Sequence, residues 1–327
     1  MFGIQTYFLS KAIGYLIRIL LFSIDNTFLE NDIFLIFFLG LNIIDWFSFA
    51  VVMILQIIFF SVGINYNKKI INFSAIIVYI GLIMFFFIVF LSDVKLTSKI
   101  FVDTLNFENF LNLSYIAPLM TVTATVFAYF SIIILSFGDF SRYVKSNKDL
   151  KKGNLSLIFN LIIFSFFAVF IVIGSDLFLN QKFENIERIF TNPTDIIGKF
   201  NNLQITVIAL FFIIFASAST NLAANFIPSQ YSLINFIPSK LSLKRASYTI
   251  GILSSIIGVL WLTFFSQIGI LSFIDTFGSF FGPIFGVMIV DYYFIKKENL
   301  INKDIYSFEL DSSYYYSKVR ANTKIQF

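Results

Sequence analysis

The chain has 327 residues, of which 58% are apolar and only 13% charged, with a formal net charge of +4. Soluble domains run near 45–50% apolar and about 25% charged, so this composition excludes a water-soluble globule. There is no cysteine and no histidine, which removes disulfides, thiolate nucleophiles, Ser-His-Asp hydrolysis and histidine-held zinc or haem.

Charge-free apolar runs of about 20 residues recur, each long enough to cross a hydrocarbon core about 30 Å thick. The start, Met1–Leu21, predicts a first helix that carries Lys11 and Arg18. Ile33–Leu41 is apolar but short and reads as interfacial or re-entrant. The second and third helices are Trp46–Ile64 and Ile70–Ser92, and the fourth is Tyr115–Gly138. The fifth is Leu155–Ser175, the sixth Leu203–Ile227, the seventh Ala246–Phe265, and the eighth runs from Ile268 to Val290. Loops Asp93–Ser114 and Asp176–Asn202 are polar and too small for a soluble domain, as is the tail. No basic leader or small-residue cleavage site marks a signal peptide. With the start of the first helix inside, the cytoplasmic segments hold 16 Lys and Arg and the outer loops five. The positive-inside bias therefore predicts a cytoplasmic C-terminus, and the basic pI reflects that bias rather than a nucleic-acid partner. The fold class expected is all-α and polytopic.

Chemistry concentrates in the sixth helix, in the run from Ala216 to Asn225. Polar side chains within a span are costly unless partnered. Ala216, Ser219 and Thr220 share one helical face, where two hydroxyls and a carbonyl offer hard oxygen ligands to a small cation such as Na⁺. Asn221 and Asn225, four residues apart, offer amide donors and acceptors suited to a heterocyclic amide edge. For Ser217 and Ala223 alone, close helix packing is the better reading. Gly278, Gly282 and Gly286 predict a small-residue packing face on the eighth helix, with Pro283 bending it. Gln5 reads by itself as an interhelical hydrogen bond. Asp139 and Arg142 read as a surface ion pair or as a cytoplasmic anchor for a moving helix. Phenylalanine is so abundant, at 47 residues, that aromatic clusters carry little weight.

Four patches in order resemble the nucleobase–cation symporter-1 family of cytosine, uracil, allantoin and hydantoin permeases. Phe2-Gly3-Ile4-Gln5-Thr6-Tyr7 is similar to part of the family's third helix. Asp139-Phe140-Ser141-Arg142-Tyr143 resembles the end of the sixth. Ser219-Thr220-Asn221 through Asn225, with Pro238 beyond, resembles the eighth, and Gly282-Pro283-Ile284-Phe285-Gly286 to Asp291-Tyr292-Tyr293 resembles the tenth. The resemblance implies a leucine-transporter-type fold of two five-helix inverted repeats, here in part, as about seven full spans and one half span. Residues 1–92 would be the remainder of the first repeat, 115–293 the second, and 294–327 a cytoplasmic tail, all within one transmembrane domain.

The resemblance also implies site roles. Ala216, Ser219 and Thr220 match sodium ligands, Asn225 and its neighbour Asn221 the amides that bind the heterocycle, and Gln5 a substrate-binding glutamine. Phe130 stands near where the family has a stacking tryptophan. Tyr129 replaces a small residue there and would crowd the site. Ser136-Phe137-Gly138, Pro228-Ser229 and Ser232 depart from the family pattern. The expected function is cation-coupled symport of a nucleobase or cyclic ureide across the cell (inner or plasma) membrane, with Na⁺ or H⁺ as coupling ion and no cofactor or enzymatic step. The alternative is a non-transporting membrane remnant or structural subunit.

The chain is expected to be truncated at both ends, with further helices of the same transporter as partners. If Gln5 lies at mid-bilayer, Arg18, 13 residues on, sits about 20 Å away at 1.5 Å per residue and reaches the outer interface. Lys11, about 9 Å out, can snorkel.

Overall fold

The computed structural model describes residues 1–92, 113–182, 202–236, 240–265 and 269–301, with positions 94, 95, 98, 99 and 102. Eight long helices follow in chain order. They are α1 (Phe2–Ile24), α2 (Ile43–Phe60), α3 (Ile64–Ser92), α4 (Ile116–Leu135) and α5 (Asn147–Lys182). α6 (Leu203–Phe236) is continuous but changes from α (Leu203–Thr220) to a π-helical stretch (Asn221–Phe226) and back (Ile227–Phe236). α7 (Leu243–Leu260) and α8 (Ile270–Ile289) each end in a π turn, Trp261–Phe265 and Val290–Ile295. Among the described residues there is no strand, only an isolated bridge between Phe38 and Leu41. Seven of these helices are long and apolar enough to cross a membrane, and α4 contributes a shorter apolar stretch, Ile116–Ser131. The chain is an all-α polytopic membrane protein.

Side-chain caps explain several boundaries. Asn42 accepts from the Asp45 N–H (3.0 Å) while Asp45 accepts from the Asn42 N–H (3.3 Å), a reciprocal cap that starts α2. Ser146 caps α5 by accepting from the Asp149 N–H at 3.2 Å. Helix formation can therefore begin in the polar segment, eight residues before the apolar run at Leu155. Asn202 and Ser242 cap α6 and α7 in the same manner. The expected short segment at Ile33–Leu41 contains only a one-turn helix, Asp32–Leu35, then a tight turn with Leu39 and Gly40 both at positive φ. It does not span.

α1 lies at the centre and packs against α2, α6 and α7; α3 joins α6 to α5, and α4 pairs with α8. The core around α1 is aromatic and aliphatic, with Phe2, Tyr7, Phe49, Met53, Phe226 and Trp261 buried together. The apolar window of α5 is only 11% buried, the pattern of a helix facing lipid.

One expectation, the packing face on α8, changes. Phe2–Ile24 is one uninterrupted helix of 23 residues, long and apolar enough to cross a membrane. Arg18, near its end, has a partner. Its Nη2 donates to Asp45 Oδ1 (2.7 Å) and Asn42 Oδ1 (3.1 Å), so the charge is partnered at the α1–α2 contact. On α8 only Gly278 forms a packing face, its missing Cβ position lying 2.3 Å from the Ala128 Cβ, while a Cβ at Gly282 or Gly286 would meet nothing within 4 Å. The tightest helix crossing is elsewhere. A Cβ on Gly3 would sit 2.0 Å from the Ser254 carbonyl oxygen, and one on Gly258 would sit 2.6 Å from the Gly3 carbonyl oxygen. α1 and α7 touch backbone to backbone there.

Candidate functional site

The π stretch of α6 begins at Asn221 and ends two residues before Pro228. Proline brings no N–H to the carbonyl four residues back, that of Ala224, and its ring crowds that carbonyl. A widened turn relieves the clash. Such π turns mark functional segments of helices.

Asn221 is fully buried and faces the first turns of α1. Its Nδ2 donates toward the Thr6 hydroxyl (3.0 Å), the Phe2 carbonyl (3.3 Å) and Gln56 Oε1 (3.3 Å). Thr6 Oγ1 in turn donates toward Gln56 Oε1 (2.7 Å) or the Phe2 carbonyl (2.9 Å). Gln56 Nε2 is buried without a partner. Asn221 Oδ1 accepts from Asn225 Nδ2 at 3.0 Å. One polar network thus ties α1, α2 and α6 together and ends on Asn225. Neither Thr6 nor Gln56 stood out in the sequence. Both are single polar residues in apolar helices, and only their shared depth makes them partners.

Asn225 is half-buried and lines a narrow cavity with Ala224, with Ala128, Tyr129 and Ile133 of α4, with Ile274 and Phe277 of α8, and with Met1 at the start of α1. The space is about 20 Å³, room for about one water and not for a ring. Tyr129 crowds it from α4. Phe130 is half-buried, is not among the lining residues, and meets the Tyr129 ring edge-on at 5.3 Å. Gln5 is half-buried and also absent from the lining. Asn221 and Asn225 are therefore brought together, whereas Gln5 and Phe130 stand apart from their cavity.

Ala216, Ser219 and Thr220 lie on the last turn of α-helical bonding before the π stretch. Ser219 Oγ donates to the Ala216 carbonyl at 3.1 Å, and the Thr220 side chain is exposed. Among the described residues no cluster of Asp, Glu, His or Cys is arranged for a metal ion.

Asp139 and Arg142 do form an ion pair, and it reaches further than a surface pair. The Arg142 guanidinium lies 4.0 Å from the centre of the Tyr231 ring on α6, and Lys68 of α3 lies 5.0 Å from the Tyr143 ring. The Tyr143 and Tyr231 hydroxyls hydrogen-bond to each other. The short helix that follows α4, Phe137–Ser141, and the residues just after it are thereby fastened to α6. Burial pushes the Asp139 carboxyl above its ordinary value, with Arg142 pulling the other way. Pro238, also singled out in the sequence, lies outside the described residues.

The purine-uracil permease NCS1 of Arabidopsis thaliana is 28% identical over 198 residues, 61% of this chain and 32% of that protein. The allantoin permease of Bacillus subtilis is 26% identical over 191 residues, 58% of this chain and 37% of its own length. The hydantoin permease of Microbacterium maritypicum is 27% identical over 114 residues, 35% of this chain and 22% of its own length. The matched region thus spans well under half the length of these relatives. No solved structure matches the chain. Residues 1–324 match the family described as permease for cytosine/purines, uracil, thiamine, allantoin, and the chain belongs to that family.

Proposed function

We propose that this protein acts in cation-coupled transport of a nucleobase or related cyclic ureide, binding the ring at the cavity beside Asn225. The observation that carries the reading is the end of the buried network. Asn225 gives its amide nitrogen to Asn221 and faces a cavity made by α4, α6 and α8 with Met1 at the start of α1. A ring with an imide or ureide edge pairs with such an amide, and no covalent chemistry is needed. Because the space holds only a water-sized body, ring entry requires α4 or α8 to move, which is how a transporter alternates access. The relatives named for purine-uracil, allantoin and hydantoin transport support this substrate class.

The cation is proposed to sit on Ala216, Ser219 and Thr220, five to nine residues before Asn225 on the same helix. Holding α6 there fixes the π stretch and so the ring site. Sodium fits these oxygen donors; proton coupling is the second possibility for the same helix.

The test is ligand affinity of the full-length gene product across a sodium titration. Asn225→Ala should weaken uracil or allantoin binding about tenfold to hundredfold, the cost of about 1–3 kcal/mol for an unpaired polar edge, at every sodium concentration. Thr220→Ala should show a defect that shrinks as sodium rises. Parent-like binding by Asn225→Ala would overturn the ring site. A sodium-independent Thr220→Ala defect would move the cation elsewhere or assign coupling to protons.

A further inference from the structure

The hydrogen bonds behind Asn225 have a direction. Asn221 Nδ2 points at the Phe2 carbonyl (3.3 Å), which can only accept. Turning the Asn221 amide over would set its oxygen against that carbonyl and against Gln56 Oε1, which also lies 3.3 Å away. Thr6 reinforces the sense. Its proton is drawn to Gln56 Oε1 at 2.7 Å, leaving a lone pair for Asn221 Nδ2 at 3.0 Å. With the Asn221 nitrogen held toward α1, its oxygen is left for Asn225, whose Nδ2 donates to it at 3.0 Å. The Asn225 oxygen is then the amide atom without a partner among the described residues.

Gln56 stands at the far end of this chain. It is 5% exposed, and its Nε2 is buried with no hydrogen-bond partner among the described residues. An orphaned donor costs about 1–3 kcal/mol. Turning Gln56 over would set its donor against the donor of Asn221. The orphan is thus the price of keeping an acceptor toward Thr6 and Asn221.

We propose that Gln56, with Thr6 and Asn221, is a specificity-determining positioning residue that holds the Asn225 carbonyl oxygen toward the cavity, so that the site selects rings bringing an N–H donor to that edge over rings whose nitrogens are alkylated. The proposal rests on the reading of Asn225 as a ligand contact. Gln56 itself does not line the cavity.

The experiment measures affinity for uracil and for 1,3-dimethyluracil in the full-length protein and four variants. The parent should prefer uracil by about tenfold to hundredfold. Gln56→Leu should move that ratio toward parity by weakening uracil while leaving dimethyluracil binding unchanged. Gln56→Glu, which keeps the acceptor oxygen, should retain the preference. Thr6→Val, which removes one hydroxyl at constant shape, should act in the direction of Gln56→Leu and serves if that variant does not fold. Equal weakening of both ligands by Gln56→Leu and Thr6→Val would make the network a packing feature and overturn the proposal, as would loss of preference in Gln56→Glu. Asn225→Leu separates the two readings. If it keeps the parent ratio, the ring site itself is wrong; if it abolishes the ratio while Gln56→Leu and Thr6→Val keep it, only the positioning role falls.

Discussion

Tyr129 is the bulky polar side chain that α4 brings to the cavity, where the space left is about 20 Å³. Tyr129→Ser should open the cavity and improve binding of a two-ring ligand such as xanthine relative to uracil, read as the ratio of the two affinities; an unchanged ratio would mean that another side chain sets the limit. Asp139 gives a second test at this scale. Its folded-state value is raised, chiefly by burial, so the folded protein binds that proton more readily than the unfolded chain. The contribution to stability is therefore present below the unfolded value and is lost as pH rises through the folded one. Asp139→Asn should remove that component from the change in thermal midpoint between about pH 7 and about pH 4, measured in detergent. A parent-like pH slope in the variant would show that burial and Arg142 cancel at this group, and a change of opposite sign that Arg142 governs it. The importance of Asn221 and Asn225 was legible in the sequence because two amides in an apolar span stand out. The crowding by Tyr129 was expected from its place in the family pattern, whereas Thr6 and Gln56 did not stand out. Each of these two is unremarkable in its own helix and acquires its partners only from what α1, α2 and α6 bring together.

The elements themselves followed from the apolar runs, because a span must satisfy its backbone internally and is helical by default. Their ends were harder to read, since side-chain caps such as Ser146 and Asn42 set them in polar sequence that hydropathy does not register. The π stretch of α6 had no direct signal beyond Pro228, and of the three spaced glycines on α8 only Gly278 meets a neighbouring helix. Glycine spacing shows where helices can approach, not where a partner lies. Gly3 and Gly258 are the pair that α1 and α7 use. Gly3→Ala and Gly258→Ala should each destabilise the protein by about 1–3 kcal/mol, because the clash is with backbone that has nowhere to move. Gly282→Ala should stay within about 0.5 kcal/mol of the parent. The comparison is a stability measurement of the three variants in one detergent; equal effects would contradict the assigned crossing.

At the scale of the molecule, family membership and the helical membrane fold fit together, and the bias of Lys and Arg supplies a proposed orientation. Cysteine placed at Ser146 should be labelled only from the cytoplasmic side, and cysteine at Asn192, which lies outside the described residues, only from the other. The native lack of cysteine leaves no background, and reversed labelling would invert the proposed topology. An orientation can be proposed from the sequence because it rests on summed loop charge, whereas the proposed coupling of ring and cation would rest on how α6 moves between α1, α4 and α8. The most direct measurement of that coupling is accumulation of radiolabelled uracil or allantoin in vesicles carrying the full-length gene product under an imposed sodium gradient, and then under a proton gradient. The account predicts uphill accumulation driven by one of the two gradients and lost in Asn225→Ala. Absence of accumulation under both gradients, or accumulation that Asn225→Ala leaves intact, would contradict it.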